Sequence, residues 1–118
     1  MEISYKTEKL RSVCNDLRKA KKAYGEKVAE KLYSAINYIE LAESLIDVRC
    51  YPPFHFHPLK GSRSNEYAID LGRKLGFRLI LKPLGKDGTA SSNIQIYNDA
   101  AAIEIVVVQL EEVSNHYE

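Results

Sequence analysis

Tyr51-Pro52-Pro53 divides this chain of 118 residues into two parts of different character. Proline disfavours a helical conformation in the residue before it, so a helix arriving from the N-terminal side ends there. Upstream, Glu26 to about Asp47 is the clearest helix. Val28, Ala29, Leu32, Ile36, Ile39, Ala42, Leu45 and Ile46 make one apolar stripe, while Lys27, Lys31, Asn37, Glu40, Glu43 and Ser44 keep the other positions polar. Gly25 is a natural stop for the helix before it, in which Leu10, Val13, Cys14, Leu17, Ala20 and Tyr24 recur at helical spacing. Thr7-Glu8 suits its start, with a hydroxyl to cap and an acid in the first turn. Asn15-Asp16 offers a second cap that would split this stretch into two shorter helices. Before it, Glu2 to Lys6 alternates like a short strand.

Downstream of the prolines everything reads as strands. Phe54 to Lys60 is the first, interrupted by Pro58, which argues for an edge or a bulge. Gly61-Ser62-Arg63-Ser64-Asn65 is a turn composition. Tyr67, Ile69 and Leu71 alternate with Ala68 and Asp70. After a turn at Gly72 to Gly76, Phe77, Leu79 and Leu81 alternate with Arg78, Ile80 and Lys82. Gly85 to Asn93 is a polar loop, and Ile103 to Val113 is too dense in Ile and Val for a helix. The order is β-α-α-β-β-β-β. Short turns in the second half imply antiparallel pairing there. The class is α+β, a single domain over 1–118 with a two-helix N-terminal hairpin on one face of a small sheet.

Length and composition agree with one domain. At 45% hydrophobic and 28% charged residues, a chain of this size buries roughly two-thirds of its unfolded surface and needs no disulfide or metal to hold a core. The longest uncharged apolar run, Ile105 to Val108, is far short of the roughly 20 residues that span a bilayer. No apolar segment near Met1 suggests secretion. Cys14 and Cys50 lack CxxC spacing and read as two reduced, buried thiols of a cytoplasmic protein.

The net charge of +1 conceals a gradient. Residues 51–86 carry Lys60, Arg63, Arg73, Lys74, Arg78, Lys82 and Lys86 against Glu66 and Asp70, whereas residues 87–118 carry six acidic side chains and no basic one. A basic middle of this kind attracts phosphates, and the acidic segment after it limits how promiscuously. The basic helix face of Arg11, Arg18, Lys19, Lys21 and Lys22 reads as solvated surface.

No Walker motif, GxGxxG, GxSxG or HExxH is present. His55 and His57, two apart, would share a strand face, but no acidic or cysteine neighbour in sequence completes a metal set. No metal and no cofactor are expected, and His55 reads as structural or exposed.

The chain resembles the RelE/ParE toxin superfamily, nearest to its HigB-type plasmid-maintenance killer proteins, on residues that run from 2 to 117. His57-Pro58-Leu59-Lys60-Gly61-Ser62-Arg63 stands where the family commonly reads PLKGDR, followed by Tyr67-Ala68-Ile69-Asp70-Leu71. Gly76-Phe77-Arg78-Leu79-Ile80 resembles the family's YRLIF strand, and Leu110-Glu111-Glu112-Val113-Ser114-Asn115-His116 resembles an ending of the type LEIVDYH. Glu8-Lys9-Leu10 and Tyr24 to Leu32 fit the family's helical half. The resemblance implies two helices against a curved antiparallel sheet. It also implies a type II toxin, a ribosome-dependent mRNA endoribonuclease silenced by a cognate antitoxin, a helix-turn-helix protein, in a toxin–antitoxin hetero-oligomer. Its partners would be the ribosome and mRNA, with no membrane.

The implied reaction, attack of a ribose 2′-OH on the adjacent phosphate, needs a base, cations around the phosphorane and an acid at the leaving 5′-oxygen. By position, His57 is the base, Lys60 and Arg78 are the cations, and His116 is the acid, with Tyr117 stacking on a base or positioning the phosphate. Arg63, Arg73, Lys74 and Lys82 are implied RNA contacts. Two departures stand out: Ser114-Asn115 where HigB-type proteins have Asp-Tyr, and Asp70 where the YoeB type has a cation. A ParE-like DNA gyrase poison and a catalytically degenerate binding module are the alternative functions.

Overall fold

The N-terminal half breaks into helices where its side chains offer caps. The computed structural model describes residues 1–63 and 65–115. Helix α1 is Glu8–Cys14, with the Thr7 hydroxyl accepting from the Leu10 amide at 3.1 Å. Asp16 then caps α2, Leu17–Tyr24, its carboxylate accepting from the Arg18 and Lys19 amides. Gly25 turns the chain at φ 90, a value other residues rarely adopt, and α3 follows as Glu26–Leu41. The helix predicted to run to Asp47 therefore stops six residues early. Ala42 is extended and a short α4, Leu45–Arg49, restarts after Ser44. Tertiary contacts explain the break: the Met1 nitrogen donates to the Ile39 and Ala42 carbonyls, and the Leu45 amide donates to the Ile105 carbonyl. Ala42 and Leu45 stay buried through it, so the apolar stripe alone does not reveal it.

The sheet has five strands: β1 Glu2–Tyr5, β2 His57–Pro58, β3 Tyr67–Asp70, β4 Phe77–Leu84 and β5 Val107–Asn115. Their spatial order is β1-β5-β4-β3-β2. The antiparallel expectation holds for β2, β3, β4 and β5, but β1 runs parallel to β5, so the sheet is mixed. Turn chemistry between neighbouring strands says nothing about β1, whose partner lies a hundred residues away. The first strand of the second half is also shorter than expected. Pro52–Phe54 is a 3₁₀ turn, and only His57–Pro58 pairs with β3, at the sheet edge, where a missing proline N–H costs no ladder bond. Two short helices follow the expected loop, α5 Asn93–Tyr97, begun by a Ser92/Gln95 capping box, and α6 Asp99–Ala102, capped by Asn98, and the last strand starts at Val107 rather than Ile103. They bury Ile96 and Ala102 completely, and Arg49 ties them down by donating to the Ile96 carbonyl and pairing with Asp99.

The helices cover one face of this α+β sheet. Tyr67, Ile69, Leu79, Leu81, Val108 and Leu110 join Leu32 and Ile39 of α3 in a single core. Each fully buried aliphatic side chain there contributes about 1.5–3 kcal/mol. Cys14 belongs to this core, whereas Cys50 is exposed, so only one thiol is buried as expected. No helix among the described residues is long and apolar enough to cross a membrane.

Candidate functional site

Alternation puts Ala68, Asp70, Arg78, Ile80, Lys82 and Gln109 on the other face of the sheet. Two cross-strand rows organise it. One runs His57, Ala68, Ile80, Glu112; the next runs Asp70, Arg78, Ser114. A bulge lies between them and the rest of the sheet: Ile80 faces Glu112 but Leu81 faces Leu110, which leaves Glu111 as the extra residue. Glu111 and Glu112 both turn to this face, as their ion pairs show.

Those pairs capture two of the expected RNA contacts. The Arg63 guanidinium is hydrogen-bonded to Glu66 and, at 2.8 Å, to Glu112. Lys82 lies 3.7 Å from Glu111, a carboxylate whose side chain is 1% exposed and which Lys6, just after β1, approaches at 3.8 Å. Burial pushes the Glu66 carboxyl up, but the Arg63 hydrogen bond and charge, a contact with Glu111 and the Lys82 charge outweigh it. Its pKa is held below the ordinary value. The same hydrogen bond to Glu66 raises Arg63 further. This half of the face is a closed ion-pair network.

The other half is open. His57 Nδ1 sits 2.7 Å from the His55 carbonyl oxygen. A carbonyl can only accept, so Nδ1 carries the proton and a neutral ring keeps its lone pair on Nε2. His55 occupies the left-handed region, φ 47 and ψ 49, the one non-glycine residue with positive φ among those described. That turn brings its Nδ1 to 3.3 Å from the Asp70 carboxylate, which is 9% exposed and also 3.9 Å from Arg73. The two imidazoles lie 5.0 Å apart. Directly across from Asp70, Arg78 makes no ion pair among the described residues, and its buried Nε has no hydrogen-bond partner. His57 and Arg78 are two strands apart, roughly 12 Å between backbones by sheet geometry.

The structure thus brings His57 and Arg78 onto one face, with His55 and Asp70 beside them; the contact between those two is what sequence reasoning did not give. The His-x-His spacing was the only signal for His55; its contact with Asp70 depends on the left-handed turn. Lys60 is exposed just beyond β2, and Arg73 and Lys74 are exposed in a 3₁₀ turn, Arg73–Leu75. His116 and Tyr117, the expected acid and its neighbour, lie outside the described residues. Among the described residues no group of three or more His, Cys, Asp or Glu could hold a metal ion. No family model matches the chain, and comparison with curated proteins and with solved structures gives no significant match.

Proposed function

We propose that this chain is a type II toxin of RelE/ParE-like topology, a ribosome-dependent mRNA endoribonuclease acting in the cytoplasm and silenced by a helix-turn-helix antitoxin. One observation carries the reading: a guanidinium without an ion pair among the described residues, Arg78, shares a sheet face with an imidazole, His57, whose Nδ1 proton is engaged and whose Nε2 makes no hydrogen bond among those residues. His57 Nε2 takes the 2′-OH proton as the 2′-oxygen bonds to phosphorus. Arg78 and Lys60 stabilise the charge on the phosphorane, and the P–O5′ bond breaks as His116 protonates the 5′-oxygen. The products are a 2′,3′-cyclic phosphate and a 5′-hydroxyl, with no oxidant or cofactor in the balance. Positioned acid–base groups of this kind contribute about 10²–10⁴-fold each.

The second reading, a toxin-fold binding module without chemistry, is favoured by one fact: Arg63 and Lys82 already neutralise Glu66, Glu112 and Glu111. Induced expression of the wild type beside His57→Ala and Arg78→Ala separates these. Growth arrest with cuts inside translated frames, mapped by primer extension and lost in both variants, supports the nuclease. Arrest without cuts points to another target such as DNA gyrase, and no arrest to the binding module.

A further inference from the structure

A trough runs along α3 toward the His55–Asp70 contact. Its floor and one wall are Lys27, Lys31, Ala35 and Tyr38, successive residues of one helix face, and the opposite wall is the 3₁₀ turn with Arg73 and Lys74. From Lys27 to Tyr38 the helix advances about 16 Å. At the far end the trough deepens into a cleft of about 340 Å³ bounded by Tyr38, Tyr51 and Phe54 and reaching Asp70, a size within the order of 300–1,000 Å³ typical of ligand pockets. Tyr38 and Tyr51 are stacked, 4.1 Å between centroids and 15° between planes, with the Phe54 ring edge-on to both, so the aromatic wall is preformed. Lys27, Lys31 and Lys74 are exposed and make no ion pair among the described residues, while Glu30 is the one carboxylate on the outer part.

We infer that this trough is the path of single-stranded RNA leading away from the scissile phosphate. Its phosphates would follow Lys27, Lys31, Arg73 and Lys74, and one unstacked base would occupy the Tyr38–Tyr51–Phe54 cleft. The inference rests on reading RNA as the substrate and extends the site beyond the sheet face. The physical case is the pairing of two features on one path. Exposed cations, of which Arg73 alone has an ion-pair partner, follow a phosphate backbone, and aromatic faces accept any base, which together are the means by which single strands are held. An acidic protein segment would be served by the cations but would leave the aromatic cleft without use. Because Asp70 lies at both the cleft and the His55 contact, a base seated there places a neighbouring phosphodiester at the open half of the sheet.

The test is fluorescence anisotropy with the full chain and a short, labelled 2′-O-methyl oligoribonucleotide, which cannot be cleaved because its nucleophile is blocked. A Lys27→Glu, Lys31→Glu, Lys74→Glu variant is expected to bind at least tenfold more weakly than wild type, with the salt slope reduced by about 2. A Lys9→Glu, Lys19→Glu, Lys22→Glu variant, with the same change in charge on α1 and α2, should stay within about threefold of wild type. Tyr51→Leu should lose a further tenfold or so, with circular dichroism confirming that each variant is folded. Absence of binding by wild type, equal loss in both triple variants, or displacement of the RNA by polyglutamate at matched charge would overturn the inference. Unmodified RNA under translation separates the two claims. Binding retained without any cleavage rejects the nuclease and leaves the trough. Cleavage at wild-type rate by the trough variant rejects the trough and leaves the nuclease.

Discussion

Raising the pH should destabilise this protein through one phenol on the core face of β3. Tyr67 is fully buried and stacks on Phe56, 5.2 Å between centroids, which pins the short edge strand carrying His57. Burial pushes its pKa from 10.0 up to about 12, with a smaller push from Tyr97. A phenol with a raised folded pKa holds its proton more tightly in the native chain than in the unfolded one. Its contribution is therefore complete below pH 10 and is lost as pH rises toward 12. At roughly 1.4 kcal/mol per unit, the loss is about 1 kcal/mol by pH 11 and about 2–3 kcal/mol in full, a sizeable share of the roughly 5–15 kcal/mol typical of a domain. Urea titrations of wild type and Tyr67→Phe between pH 9 and pH 11.5 read it directly. Whatever the variant loses at pH 9 is a constant offset, and the two stabilities should converge by about 1 kcal/mol on reaching pH 11. Parallel curves would refute the reasoning, because Cys14, whose thiol burial pushes up to about 11, titrates equally in both proteins.

The network on the closed half of the sheet predicts the opposite pH sign. Glu66 is held below its ordinary pKa, so its stabilisation is present above about 4.5 and fades as pH falls; Arg63→Ala should cost about 1–3 kcal/mol at pH 7, with the gap to wild type narrowing in acid denaturation curves. Cys50 should react with a thiol reagent at once, and Cys14 only on unfolding, as followed by mass spectrometry. Gly72→Ala places a side chain at φ 82 with its Cβ 2.9 Å from Leu75 Cδ1. A melting temperature lowered by several degrees, for a cost of about 1–3 kcal/mol, is expected in calorimetry, and an unchanged one would show that the turn relaxes freely.

What was legible in the sequence was local. Thr7, Asp16 and Gly25 mark helix ends because a cap acts within three or four residues, and the alternation in β3 and β4 already sets Arg78 and Lys82 on one face. What was not legible depends on distant partners. The parallel β1–β5 pairing joins the two ends of the chain, and the Glu111 bulge follows from how β5 meets β4. The break after Leu41 answers to contacts from Met1 and Ile105. In the site, Arg63 looked like a phosphate contact because Glu112 is 49 residues away in sequence, and Asp70 looked like a loss of cationic character. The fold instead pairs Asp70 with His55 and leaves Arg78, across the ladder, without an ion pair among the described residues.

The proposed chemistry is tested most directly by translating, in a reconstituted system with the purified protein, an mRNA that carries one 2′-deoxynucleotide at a mapped cleavage position. Attack by the 2′-oxygen predicts that cutting stops at that position while cuts elsewhere continue with 5′-hydroxyl and cyclic-phosphate ends, and that Arg78→Ala slows them by about 10²–10³-fold. Cleavage at the deoxy position, or an undiminished rate without Arg78, would contradict it.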